Sequence, residues 1–215
     1  MTDQVQKSNR KRKVRALLAG GLVLGVGAAV TLAAWSDNVF GNSDFATGDA
    51  RWELQGNFET TTPLTEAGWG DYDITPGGGI AFPIPLKNNL TPGDVVRAPV
   101  AIRLAPGQEL GASVTLDAPN LDAGNLLQNA LTYGIYSGVT AADCVAGNVG
   151  AATLVPVGSP LSTGGTFTIA SGAAAENGTP VELCYVVTLP SGTPSNVSGL
   201  QTGTLVWDFQ GTSIA

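Results

Sequence analysis

Few side chains in this chain can do chemistry, and their types narrow what it could catalyse. None of the 215 residues is histidine, which excludes a histidine-based triad, an HExxH zinc site and a histidine general base. The 17 Asp and Glu residues offer many carboxylate pairs of the kind a hydrolase uses, yet nothing in the sequence marks one pair as special. Asp71 and Asp73, in Gly-Asp-Tyr-Asp, are oxygen donors of the type calcium takes. Two acids fall short of the roughly six to eight oxygens that ion needs, so a solvated loop is the preferred reading there. Gly77-Gly78-Gly79 lacks the lysine and the helix of a phosphate-cradling loop. From these residues no enzyme activity, no metal and no cofactor is expected. What remains is one pair of thiols, Cys144 and Cys184, whose state depends on the compartment.

The N-terminus decides the compartment. Lys7, Arg10, Lys11, Arg12, Lys13 and Arg15 precede an uncharged run of 19 residues from Ala16 to Ala34. A basic head, an apolar stretch and small residues at its end make a secretory signal peptide. A retained membrane anchor is the alternative, since about 20 apolar residues span a bilayer. Four glycines in the run and polar residues directly after Ala33-Ala34 favour removal, with the cut between Ala34 and Trp35. Loss of 34 of the 215 residues leaves 181, and the head takes six of the ten basic residues and one of the 17 acids with it. The remainder holds four basic against 16 acidic residues, a formal net charge of −12. Such a surface repels nucleic acid and anionic membranes, so contact with a membrane is expected only before cleavage. In an oxidising compartment Cys144 and Cys184 are expected to form an intramolecular disulfide, with two inert buried thiols as the alternative.

These side chains must be positioned by β-structure. Gly, Thr, Val and Pro are abundant and charges sparse. Period-two alternation marks half-buried strands at Ala50–Gln55, Val96–Leu104, Val181–Leu189 and Leu205–Phe209, with weaker candidates at Ala112–Leu116, Tyr133–Tyr136 and Thr166–Ala170. Pro99 falls on the outward face of its run and implies an edge strand or a bulge. Thr91-Pro-Gly-Asp94, Ala105-Pro-Gly-Gln108 and Asn177-Gly178 supply turns. One segment, Asp122–Leu131, has helical spacing, with Asp122 as its cap. Asn57–Pro85 reads as a long surface excursion. The expected fold is an all-β, two-sheet antiparallel sandwich with one short helix. The expected organisation is a signal peptide at 1–34, an N-terminal segment at 35–49 and the sandwich domain at 50–215.

Scattered residues resemble a known group. The basic head with Thr31-Leu-Ala-Ala-Trp-Ser-Asp37, then Asp44-Phe-Ala-Thr-Gly48 before a strand, Leu90-Thr-Pro-Gly-Asp94, and Thr204-Leu-Val-Trp-Asp-Phe-Gln210 are similar to the TasA/CalY (camelysin) family, in its actinobacterial, alternate-signal branch. The resemblance implies an exported surface or biofilm-matrix protein, a jelly-roll sandwich, and processing by a signal peptidase of SipW type. Leu32, three residues before the cut, agrees with that special peptidase, and a cut after Ala33 is the fallback. The metalloprotease activity ascribed to camelysin is not carried over, because histidine is absent.

Two functions of different class are therefore expected. In the first the chain is a structural subunit of an extracellular fibre or matrix, and its freed N-terminal strand completes the sheet of a neighbour. The donor is Trp35–Phe45, with Trp35, Val39, Phe40 and Phe45 as its apolar residues. In the second it is a monomeric secreted or cell-surface binding module, an adhesin or glycan binder presenting Trp69, Tyr72 and the glycine-rich loop.

Overall fold

Residues that alternate with period two can bury one side only if a second layer faces them, and this chain supplies two sheets. The computed structural model describes residues 11–16, 18, 52–59, 64–84, 86–150, 152–172 and 178–214. The chain forms two compact units, Met1–Thr47 and Gly48–Ala215. In the first, residues 11–16 and 18 are helical and exposed. The rest of the expected signal peptide, the Ala34/Trp35 junction and the donor residues Trp35, Val39, Phe40 and Phe45 lie outside the described residues. Among the described residues no helix is long and apolar enough to cross a membrane.

Among the described residues the second unit carries eight strands: β1 (Leu54–Asn57), β2 (Val95–Leu104), β3 (Gly111–Leu116), β4 (Thr132–Ser137), β5 (Thr153–Pro160), β6 (Gly165–Ile169), β7 (Val181–Thr188) and β8 (Phe209–Ile214). They pair as a five-stranded sheet in the order β1-β2-β7-β4-β5 and a three-stranded sheet in the order β6-β3-β8. Every pairing is antiparallel. The inward residues meet between the sheets. Val96, Val100, Ile102 and Leu104 of β2 and Leu183, Tyr185 and Val187 of β7 face Ala112, Val114 and Leu116 of β3 and Ile169 of β6 in one core. The fold is thus an all-β arrangement of two antiparallel sheets with few helices, as the alternation implies.

Pro99 sits inside β2 opposite Cys184 of β7, yet it breaks no ladder. Gly56 of β1 turns its backbone groups away from β2, donating to and accepting from Gly70 at 2.9 and 3.0 Å. Backbone direction alternates along a strand, so Gln55 and Asn57, and their partners Arg103 and Ala101, point at one another. By the same alternation the nitrogen of Pro99 points away from β7. Strand β1 ends opposite Ala101, so Pro99 lies where β2 is locally an edge and its missing N–H costs nothing.

Four details differ from the sequence reading. The strand expected at Leu205–Phe209 starts only at its last residue, as β8. The helix over 122–131 is shorter, α1 (Leu126–Ala130), and its cap is Asn125, whose side chain accepts from the N–H groups of Leu127 and Gln128. Asp122 instead accepts from Gly124 N at 2.9 Å and shapes the turn before it. A second helix, α2 (Ala141–Ala146), is capped by Thr140 and closed by Gly147 at φ 81°. Strand β5 went unread because Pro156 and Pro160 demote it; it is an edge strand with irregular register.

Helix α2 lies on the outer face of the five-stranded sheet. There Cys144 and Cys184 form a disulfide with Cα atoms 5.4 Å apart and 40 residues between them in sequence. Val139 and Val186 complete this small second cluster. In the chain-entropy model a loop of this length stabilises the fold by about 4 kcal/mol. Reduction, or a Cys144→Ala/Cys184→Ala variant, is expected to lower the urea unfolding free energy by about that amount without producing a dimer. A reducible dimer on a gel, or an unchanged unfolding midpoint, would contradict this.

Candidate functional site

Strand β1 has four residues and β2 has ten, so the apolar face of the large sheet extends beyond its own edge. On the same side of the molecule the pairing of β8 with β3 begins only at Phe209. Between these two short edges runs a groove of about 1370 Å³. One wall is β1 with the strap from Asp71 to Phe82, the other is Leu200–Phe209, and the floor includes Val96, Ile102, Leu127, Leu131 and Val187. The groove closes beside Gly211, where any side chain would strike Trp52 and Leu54.

The stretch leading into the strap, Leu64 to Gly70, is part of the expected surface excursion and is anchored to the large sheet. Arg103 points outward from β2 yet is only 4% exposed. Its guanidinium makes a forked pair with Glu66, both contacts at 2.9 Å. It also donates to Gln55 Oε1 at 3.0 Å and lies 4.3 Å from the Trp69 ring centroid. Glu66 is mostly solvated, so the ion pair alone contributes little; the planar fork and the stacking on Trp69 give the geometry. Beyond it, Tyr72 meets Phe58 edge-on at 5.2 Å, and Gly78 passes so close to Phe58 that no side chain would fit.

The sequence-derived candidates therefore separate. Trp69 is stacked under Arg103 on the sheet's outer face, away from presentation, while Tyr72, 46% exposed, lines the groove. Asp71 and Asp73 also line it, and Asp71 Oδ1 accepts from Gln55 Nε2 at 3.1 Å. Among the described residues no group of three or more His, Cys, Asp or Glu could hold a metal ion. Cys144 and Cys184 are bonded to each other, on the face opposite the core.

Residues that the sequence places in strands, without marking them as a site, shape the groove more. The indole N–H of Trp52 and the Tyr185 hydroxyl are buried without a partner among the described residues, while the Trp207 indole N–H is directed at the Tyr133 hydroxyl. Trp207 stacks edge-on against Tyr185 at 5.4 Å, and both lie near Tyr133. The Tyr133 hydroxyl donates to the Thr163 carbonyl. Alternation in Leu205–Phe209 identifies Trp207 as inward, but the approach of its N–H to Tyr133 has no signature in sequence.

Burial pushes the Tyr185 phenol well above its ordinary range, and a charge on neighbouring Tyr133 would push it further; Tyr133 is raised by burial as well. A phenol whose folded value is raised contributes stability that is complete below its unfolded value, near pH 10, and lost as pH rises through the folded value. Unfolding followed by circular dichroism is expected to set in above about pH 10. Tyr185→Phe should blunt that alkaline loss and, at neutral pH, leave stability unchanged or raise it by about 1 kcal/mol, since it removes an unpaired buried hydroxyl. A neutral-pH loss larger than about 1 kcal/mol would mean the hydroxyl is satisfied. Compared with protein-family models, curated proteins and solved structures, the chain matches none.

Proposed function

We propose that this chain is a secreted structural subunit of an extracellular fibre or biofilm matrix, assembling when the freed strand Trp35–Phe45 of one copy enters the groove of the next. The observation that carries the reading is the groove itself: an apolar floor between two sheet edges, in a chain with four large apolar residues set among polar ones just ahead of its sandwich. Backbone pairing and alternate side-chain pockets are the physics of strand addition, and head-to-tail contacts that do not close on themselves give filaments. Eleven residues at about 3.3 Å each are long enough to run the length of Leu200–Phe209. The two-sheet arrangement is read as jelly-roll-like, in keeping with the resemblance to the TasA/CalY family. The disulfide suits an oxidising exterior. In this reading the chain acts by association and not by catalysis, its processing partner is a SipW-type signal peptidase, and its membrane contact ends with cleavage after Ala34.

A second reading is favoured by Tyr72, exposed on the groove wall. An aromatic face in a groove suits a glycan, and a monomeric adhesin would use the same groove. Size-exclusion chromatography at two concentrations separates the two: growth with concentration belongs to the subunit, a constant monomer to the binding module.

Register gives a sharper test. With period two, the odd positions of the donor bring Trp35, Val39 and Phe45 to one face, while the even positions bring only Phe40. The odd face is the more apolar of the two, with Asp37 near its start. Val39→Asp would bury an unpaired charge and is expected to raise the critical concentration for fibres by roughly a hundredfold, about 2.7 kcal/mol. Phe40→Asp should change it little. Secreted protein beginning at Trp35 and lacking fibres by electron microscopy after deletion of Trp35–Phe45, with its circular dichroism intact, is the expected companion result. Fibres from the deletion variant would end the donor reading; its unfolding would assign the segment to its own domain.

A further inference from the structure

Among the described residues Tyr72 is the one non-glycine with a left-handed backbone, at φ 44°. That conformation costs a tyrosine free energy and persists only where the surroundings impose it. Here they seat its ring. A Cβ added to Gly70 would fall 2.9 Å from two ring carbons, and one added to Gly78 would fall 3.1 Å from a third. Phe58 meets the same ring edge-on. A side chain held this firmly is ordinarily core, yet Tyr72 stays 46% exposed. Asp71 and Asp73, next to it in sequence, are exposed and line the same groove. Gln55 holds the Asp71 carboxylate, and among the described residues neither aspartate has a cationic partner. Lys87 is the one described cation lining the groove, against Glu53, Asp71, Asp73 and Asp208. The opposite wall is fixed as well: the Asn120 carboxamide accepts from Val206 N at 2.8 Å and donates to the Thr204 carbonyl at 3.2 Å. Walls set in place beforehand spare the ordering cost of binding.

We infer that the Tyr72 wall of the groove binds a cationic sugar chain, a polymer of amino sugars with free amines. The C–H face of a pyranose ring lies flat on an exposed aromatic ring. A protonated amine on that sugar is drawn to the aromatic face and to a carboxylate beside it. Neutral polar side chains along the groove, among them Thr75, Asn88 and Gln201, suit the sugar hydroxyls. A neutral sugar would use the ring and leave the carboxylates unmatched. A lysine side chain would match the carboxylates and bring no ring to lie on Tyr72. Charge complementarity favours the amine, since the chain after residue 34 carries 16 acidic and four basic residues. The inference rests on the glycan reading above, whose site it narrows to one wall and one class of sugar.

The test is calorimetric titration of the secreted protein with glucosamine oligomers and with N-acetylglucosamine oligomers of equal length and linkage, at a pH where the free amines are protonated. The amine form should bind at least tenfold more tightly, and added salt should shrink that preference. Tyr72→Phe keeps the ring and should keep binding of both; Tyr72→Ala should weaken both at least tenfold. Asp71→Asn combined with Asp73→Asn should erase the preference and leave the acetylated form bound as before. An asparagine oxygen still accepts from Gln55, so that variant keeps the wall; if Tyr72→Ala loosens the strap, the aspartate variant decides alone. Equal affinity for the two oligomers would overturn the inference and leave the glycan reading standing. Oligolysine bound as tightly as the amine form, and unaffected by Tyr72→Ala, would assign the wall to charge alone and overturn the inference. Binding of neither oligomer would overturn the glycan reading, and the inference with it.

Discussion

Strand β7 is hydrogen-bonded along both edges and buried on both faces, and the rest of the sandwich is arranged around that constraint. Its odd residues Leu183, Tyr185 and Val187 enter the main core, while Cys184 and Val186 lie under helix α2. A strand covered on both faces needs material on each. The small sheet supplies one cover. The other is a six-residue helix, too short to persist alone, which the disulfide fastens to the strand it shields. The bridge therefore acts as a packing element as much as a loop closure.

The opposite end of the large sheet is built on a different principle. There the outer face is covered by a strap that has almost no regular structure and is tied through Arg103, Trp69 and the Gly56–Gly70 bridge. Fixing the strap on the outer face brings its continuation, Tyr72 to Phe82, around the edge of β1 to form one wall of the groove. The other wall, Leu200 to Asp208, is held by side-chain amides where a strand would ordinarily sit. The open space thus follows from two edges that are each finished by something other than a strand.

Much of the fold was legible because burial on one face writes itself as alternation. The runs 96–104 and 181–189 are clear for that reason, and their inward residues are the core. What escaped has physical causes. Prolines hid β5, whose edge position tolerates them. Helix α2 contributes little apolar surface, so it has no 3.6-residue stripe; only Thr140, Asp143 and Gly147 mark its ends. Asp122 and Asn125 are equally good caps by type, and the turn geometry chose the second. Leu205–Phe209 alternates like a strand, but among the described residues no strand pairs with most of it, and Asn120 is 86 residues from Val206 in sequence. The groove was illegible for the same reason: its walls come from 52–82 and 200–209, and no local pattern joins them.

The two prolines of β5 have a consequence for the molecule's neighbours. Pro156 and Pro160, with Gly158 at φ 85° between them, leave the far margin of the large sheet short of donors and bent out of a regular ladder. A second sheet laid against that margin would meet gaps where it needed hydrogen bonds. Edge-to-edge pairing is thus blocked along that margin, whatever else the surface offers.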